Sequence, residues 1–141
     1  MKGIVMAEQP INPELFAQGL QTRREVLGDA YVSAAIKNAD EFTLPLQQFV
    51  TQYAWGDIWN RPGLDRKTRS MLVLAMIAVL NRPHELKLHV RGALNNGVTR
   101  EEMREIFLQV AVYAGAPAAM DGFRNAKEAL AAIEAEQAGK V

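Results

Sequence analysis

The chain contains no cysteine, so it can form no disulfide, present no thiol nucleophile and build no thiolate metal site. Thiol redox chemistry is excluded outright. Net charge is missing as well: 16 basic residues against 16 acidic ones leave no overall field to draw in nucleic acid or an anionic membrane surface. No nucleic-acid or membrane partner is expected. Long apolar runs are also lacking, since the longest, MLVLAMIAVL from Met71 to Leu80, has ten residues, about half of the roughly 20 that span a bilayer. That run is expected to be a buried helix. The opening MKGIVMAEQP has only a brief apolar patch before Glu8 and Pro10, too short for a signal-peptide core, and a cytoplasmic protein is expected. Histidine is scarce, with His84 and His89 the two copies.

What is present is helical periodicity. At 141 residues the chain is most simply one domain, with its core at about 30–130, and with strand alternation nearly absent it is expected to be all-α with about six helices. Asn12 is placed to cap a first helix that opens with Pro13 and stops at Gly28, with Leu15, Leu20 and Leu27 available for burial. DEFTLPLQQFVTQYAWGDIW reads as the next helix, ended or bent at Gly56. NRPGLD is a turn, and Asp65 caps the helix that holds the apolar run. HELKLHVRGALNN follows and closes at Gly97, after which Thr99 and Glu102 form a capping box. Gly115 and Pro117 separate that helix from a last one reaching about Glu136. The Met71 to Leu80 segment is apolar all round, which a small domain can hardly bury, so a homo-oligomer is expected to cover it.

The candidate chemistry lies on the HELKLHV helix. Leu86, Val90, Ala93 and Leu94 make its apolar stripe, and Arg82, Glu85, His89, Gly92 and Asn96 make a neighbouring row. Glu85 and His89 are four residues apart, so a carboxylate can meet an imidazole and favour its charged form, while Gly92 leaves space one turn on. A proton donor with a tuning partner and room beside it suits general acid–base catalysis. By pattern alone such a pair is more often an ion pair on a helix surface.

YAWGDIWNRPGLDRKTRSMLVLAMIAVLNRPHELKLHVRGALNNGVTREEMREIFLQVAVYAGAPAAMDGF, from Tyr53 to Phe123, resembles the 4-carboxymuconolactone decarboxylases of the alkylhydroperoxidase D-like superfamily. RREVLGDAYV extends the likeness towards the N-terminus. The resemblance implies an all-helical fold assembled as a ring, usually a hexamer, and a cofactor-free carboxy-lyase of protocatechuate breakdown. Its implied reaction converts 4-carboxymuconolactone, a small anionic lactone, to 3-oxoadipate enol-lactone and carbon dioxide. It also turns the choice at His89 towards a site. The peroxidase branch of the superfamily resembles a Glu, then Cys-x-x-Cys, then a His, and here the cysteine positions hold Arg82 and Glu85 and the upstream Glu position holds Ser70. A proton relay through that carboxylate is not carried over.

The implied reaction sets three demands. Loss of carbon dioxide beside the lactone oxygen sends electrons through the ring to the lactone carbonyl, so the substrate is its own electron sink and no cofactor or metal is expected. The enzyme must hold a carboxylate, stabilise the growing oxyanion and deliver a proton to carbon. His89 is assigned the proton, with Glu85 orienting it and raising its pKa. Arg82 is the first choice for gripping the carboxylate that stays, ahead of Arg69, Arg61 and Arg91, because guanidinium matches carboxylate in paired hydrogen bonds. His84 is a weaker candidate donor to the lactone oxygen. Trp55 and Trp59 are secondary candidates to wall the ring, although two aromatics beside a Pro-Gly turn more often pack. Two other readings stand beside this one: a cofactor-free lactone isomerase, and a non-catalytic helical oligomer that binds an anionic metabolite.

Overall fold

A computed structural model describes Pro10 and residues 12–140; the stretch ahead of Pro10, read above for targeting signals, lies outside them. The chain divides into two compact units, one up to Leu64 and one from Asp65 onward. Among the described residues every element is helical: seven α-helices, one π-helical stretch and one short 3-10 turn. None of these helices is long and apolar enough to cross a membrane.

In the first unit α1 (Pro13–Leu27) starts as its residues dictate. The Asn12 side chain accepts from the Leu15 backbone N–H at 3.0 Å, Pro13 fills the first helical position where no N–H is needed, and Gly28 ends the helix at φ 95°. The buried face is Gly19, Thr22, Arg23, Val26 and Leu27. Leu27 is buried as expected, whereas Leu15 and Leu20 are only half-buried. Gly28 stops one helix and immediately opens another, α2 (Asp29–Lys37), which accounts for the count exceeding the expected six. Only Val32 of α2 is fully buried, so its sequence carries almost no periodic signal.

The following segment, expected as one helix, is three elements. A short α3 (Leu44–Phe49) passes into a π-helical stretch (Val50–Asp57) and then a 3-10 turn (Ile58–Asn60). Thr51, Gln52, Trp55 and Gly56 share the buried side of the π-helical stretch. Two glycines let the backbones touch: a methyl on Gly19 would run into the Thr51 carbonyl oxygen, and one on Gly56 would lie 2.5 Å from that of Leu15. Gly56 stands one residue before the end of the π-helical stretch, close to the expected stop. It is where α1 and the π-helical stretch meet.

The second unit is four helices around one core: α4 (Arg66–Leu80), α5 (Pro83–Asn95), α6 (Arg100–Ala114) and α7 (Ala116–Ala138). Its boundaries follow the expected caps. Asp65 accepts from the Thr68 N–H at 2.7 Å, and Thr99 and Glu102 exchange two bonds of 3.0 Å. Asn81, Gly97 and Gly115 take positive φ between the helices. Leu74, Ala78, Leu86, Val90, Ala93, Met103, Phe107 and Ile133 fill the core, each large apolar side chain worth roughly 1.5–3 kcal/mol of burial. On α4 the buried stripe is Ser70, Leu74 and Ala78, while Met76 stays 57% exposed and Leu80 62%. The apolar run is thus half-covered within its own unit.

Candidate active site

Glu85 and His89 stand on α5, which Pro83 opens and Leu86, Val90 and Ala93 anchor. Glu85 lies in the first turn and is exposed, where the helix dipole favours a carboxylate. His89 is half-buried, with its Nδ1 out of solvent. Burial pulls the imidazole down from 6.5 to about 4, and the Glu85 carboxylate pushes the other way without winning. This corrects the expectation of a raised pKa. An exposed carboxylate is screened by water, whereas desolvation acts on the whole ring, so in the free protein His89 is neutral at physiological pH.

The rest of the row is structural at its far end. Gly92 is buried, and the Asn96 amide donates to Ser70 Oγ at 2.9 Å and to the Arg66 carbonyl at 3.4 Å, tying α5 to α4. Ser70 is itself buried. Arg82, the first choice for the grip, is exposed and turns back on α4: its Nη1 donates to the Leu80 and Asn81 carbonyls at 3.0 and 3.2 Å. It closes orphan carbonyls at a helix end. Arg91 pairs with Glu136 of α7 at 2.8 Å. Arg69 is half-buried on α4, and His84 is exposed in the first turn of α5.

Arg61, Trp55 and Trp59 belong to the first unit. Arg61 is exposed just after the 3-10 turn. The two tryptophans are buried and stacked on each other, centroids 4.8 Å apart and planes within 18°. Asn60 donates to the Trp55 and Gly56 carbonyls and accepts from Thr22, locking the pair's backbone. Both rings are thus held by packing within their own unit.

Arg23, absent from the candidates above, is the polar residue the sequence conceals. It is 5% exposed on α1, and its Nη1 donates to Gln47 Oε1 at 2.8 Å and Thr51 Oγ1 at 3.3 Å. The signal was a basic residue at a position where i−4 and i+3, Gly19 and Val26, are both buried.

With this geometry in place, comparison with known proteins identifies the class. Residues 45–128 match the carboxymuconolactone decarboxylase family, and the chain belongs to that family. Among individual proteins it is 49% identical over 111 residues to a nitrosuccinic acid decarboxylase of Metarhizium robertsii, covering 79% of this chain and 78% of that one. It is 42% identical over 113 residues to a 4-carboxymuconolactone decarboxylase of Acinetobacter baylyi, covering 80% and 84% respectively. The expected enzyme class, a carboxy-lyase, agrees with both names.

Proposed function

We propose that the protein decarboxylates a small dicarboxylate whose own structure accepts the electrons left behind, with 4-carboxymuconolactone as the first substrate and protocatechuate breakdown as its setting. The two relatives share one chemical logic. In carboxymuconolactone the electrons of the breaking C–C bond reach the lactone carbonyl and form a dienolate; in nitrosuccinate they reach the nitro group and form a nitronate. Either way carbon dioxide leaves, a carbon takes up one proton, and a second carboxylate remains. The identity to the Metarhizium protein is the observation that favours nitrosuccinate as the second reading.

His89 supplies the proton. The observation that supports this most is its place: half-buried beside Glu85, within the matched segment. Neutral in the free protein, it must gain a proton before it can give one. A carboxylate about 4 Å away at an effective dielectric near 20 favours the imidazolium by about 4 kcal/mol, on the order of three pH units. That shift opposes the effect of burial on His89, so a bound carboxylate favours the protonated acid that the reaction consumes. Proton transfer to carbon then returns His89 to the neutral form its surroundings prefer. Arg69 and Arg82, each after leaving its present partners, are the candidates on the unit of His89 to grip the retained carboxylate.

A homo-oligomer, a hexameric ring in the first instance, belongs to the same proposal. Leu72, Met76, Val79 and Leu80 on α4, and Val112 and Tyr113 on α6, are apolar and exposed in the single chain. Light scattering at micromolar concentration should give a mass above that of a dimer, and a stable monomer would remove this part. Carbon dioxide release measured side by side with 4-carboxymuconolactone and nitrosuccinate tests the substrate. Turnover of the lactone supports the first reading, turnover of nitrosuccinate alone the second, and release from neither defeats both.

A further inference from the structure

Arg23 presents a charge that no carboxylate among the described residues balances. Its side chain is buried, its hydrogen bonds go to the neutral oxygens of Gln47 and Thr51, and the Tyr31 phenol lies within hydrogen-bonding reach. No aspartate or glutamate among the described residues pairs with it; the neighbouring Arg24 takes Asp29, at the surface. Its Nε is buried and meets no acceptor among the described residues. A guanidinium keeps its charge at any physiological pH, and a buried charge without a counter-ion is among the most expensive features a small fold can carry.

The geometry says what would offset it. Gln47 and Thr51 both bind Nη1, no acceptor among the described residues meets Nε, and the half-buried Tyr31 phenol is the remaining group within reach, so a carboxylate that displaces it meets the Nε–Nη2 edge. That edge offers two parallel N–H groups, the pattern that takes a carboxylate side-on. Gln47 and Tyr31 are half-buried, so the guanidinium lies one flexible side-chain layer from solvent. Met or Leu at this position would fill the same volume without the charge.

We propose that Arg23 is a carboxylate-binding residue, its Nε–Nη2 edge receiving one carboxylate of a small anion while Gln47 and Thr51 hold the fork in place. The carboxylate is that of a small acid bound within the first unit, and the proposal stands apart from the decarboxylase reading above.

Sodium succinate, titrated at constant ionic strength into protein with isotope-labelled arginine, is the probe. The Arg23 Nε–Hε resonance, assigned by its loss in Arg23→Lys, should move saturably, and the thermal midpoint of the wild-type protein should rise over the same range. Arg23→Met should fold and lose both responses. Arg23→Lys, which keeps the charge but not the fork, should bind succinate about 10- to 100-fold more weakly. If Arg23→Met does not fold, the wild-type resonance and the lysine variant still decide. A resonance that ignores succinate, or a midpoint shift that survives in the variants, overturns the proposal. Failure to decarboxylate either substrate would end the reading of function and leave the succinate titration as informative as before.

Discussion

Replacing His89 with glutamine should flatten the acid side of the protein's stability curve. In the folded chain burial holds the imidazole at about 4, while in the unfolded chain it titrates near its ordinary 6.5. Between those values the unfolded chain binds a proton that the folded chain refuses. The contribution is therefore fully present above about 6.5, declines as the pH falls from there to about 4, and is gone below. At about 1.4 kcal/mol per pH unit, the fall from 6.5 to about 4 amounts to about 3 kcal/mol. That is a large part of the roughly 5–15 kcal/mol that holds a typical domain together. Asp40, Asp65, Glu102 and Glu128 are held below the ordinary carboxylate range by hydrogen bonds and, for the last two, lysine partners. Their stabilisation starts to be lost as the pH falls below about 5, but it is lost alike in wild type and variant and cancels when the two curves are compared. Urea unfolding followed by circular dichroism, from about pH 7.5 to about pH 4.5 at fixed protein concentration, measures the effect. The wild-type free energy should fall by most of that amount more than the variant's. Parallel curves would show that His89 is not desolvated, and the account of its neutral resting state would fail.

Other consequences are more local. Gly19→Ala drives a methyl into the Thr51 carbonyl and should destabilise by about 3 kcal/mol or more, read as a lowered urea midpoint, whereas Gly63→Ala, with open space around it, should change little. Thr99→Ala removes the capping box of α6 and should cost about 1 kcal/mol in the same assay, with decarboxylation unaffected at a temperature where the fold is intact. Glu85→Gln removes the one carboxylate that favours the charged imidazole, so the alkaline limb of the kcat profile should move to lower pH by up to about half a unit, the small size reflecting an exposed partner. Dialysis against a chelator should leave decarboxylation intact; activity lost and restored by one metal would require another mechanism.

What could be read in the sequence was what is local. Asn12, Asp65, and Thr99 with Glu102 satisfy backbone N–H groups within three residues of themselves, so their roles are written in adjacent letters. Helix α2 escaped notice because it buries Val32 alone, and the π-helical stretch because its spacing differs from that of an α-helix by less than one residue per turn. The Glu85–His89 adjacency was legible from spacing, but the balance between them was not. The carboxylate's effect follows from a four-residue separation, whereas desolvation depends on what the fold stacks over the ring. Arg82 shows the same limit, since spacing placed it on the row but not its guanidinium on the backbone carbonyls of Leu80 and Asn81. Arg23 was hidden for the opposite reason: an arginine on an amphipathic helix ordinarily marks the wet face, and here it lies on the dry one.

The most direct test of the account is carbon dioxide release under saturating substrate by wild type and His89→Gln, with oligomer size and helical content confirmed equal. If His89 delivers the proton, kcat should fall by roughly 10²-fold or more, the scale of a lost general acid, and the Glu85→Gln/His89→Gln pair should be little worse than His89→Gln alone. A near-normal kcat in the intact His89→Gln protein would contradict the account, leaving Glu85 and His89 as a helix pair and the proton to another donor.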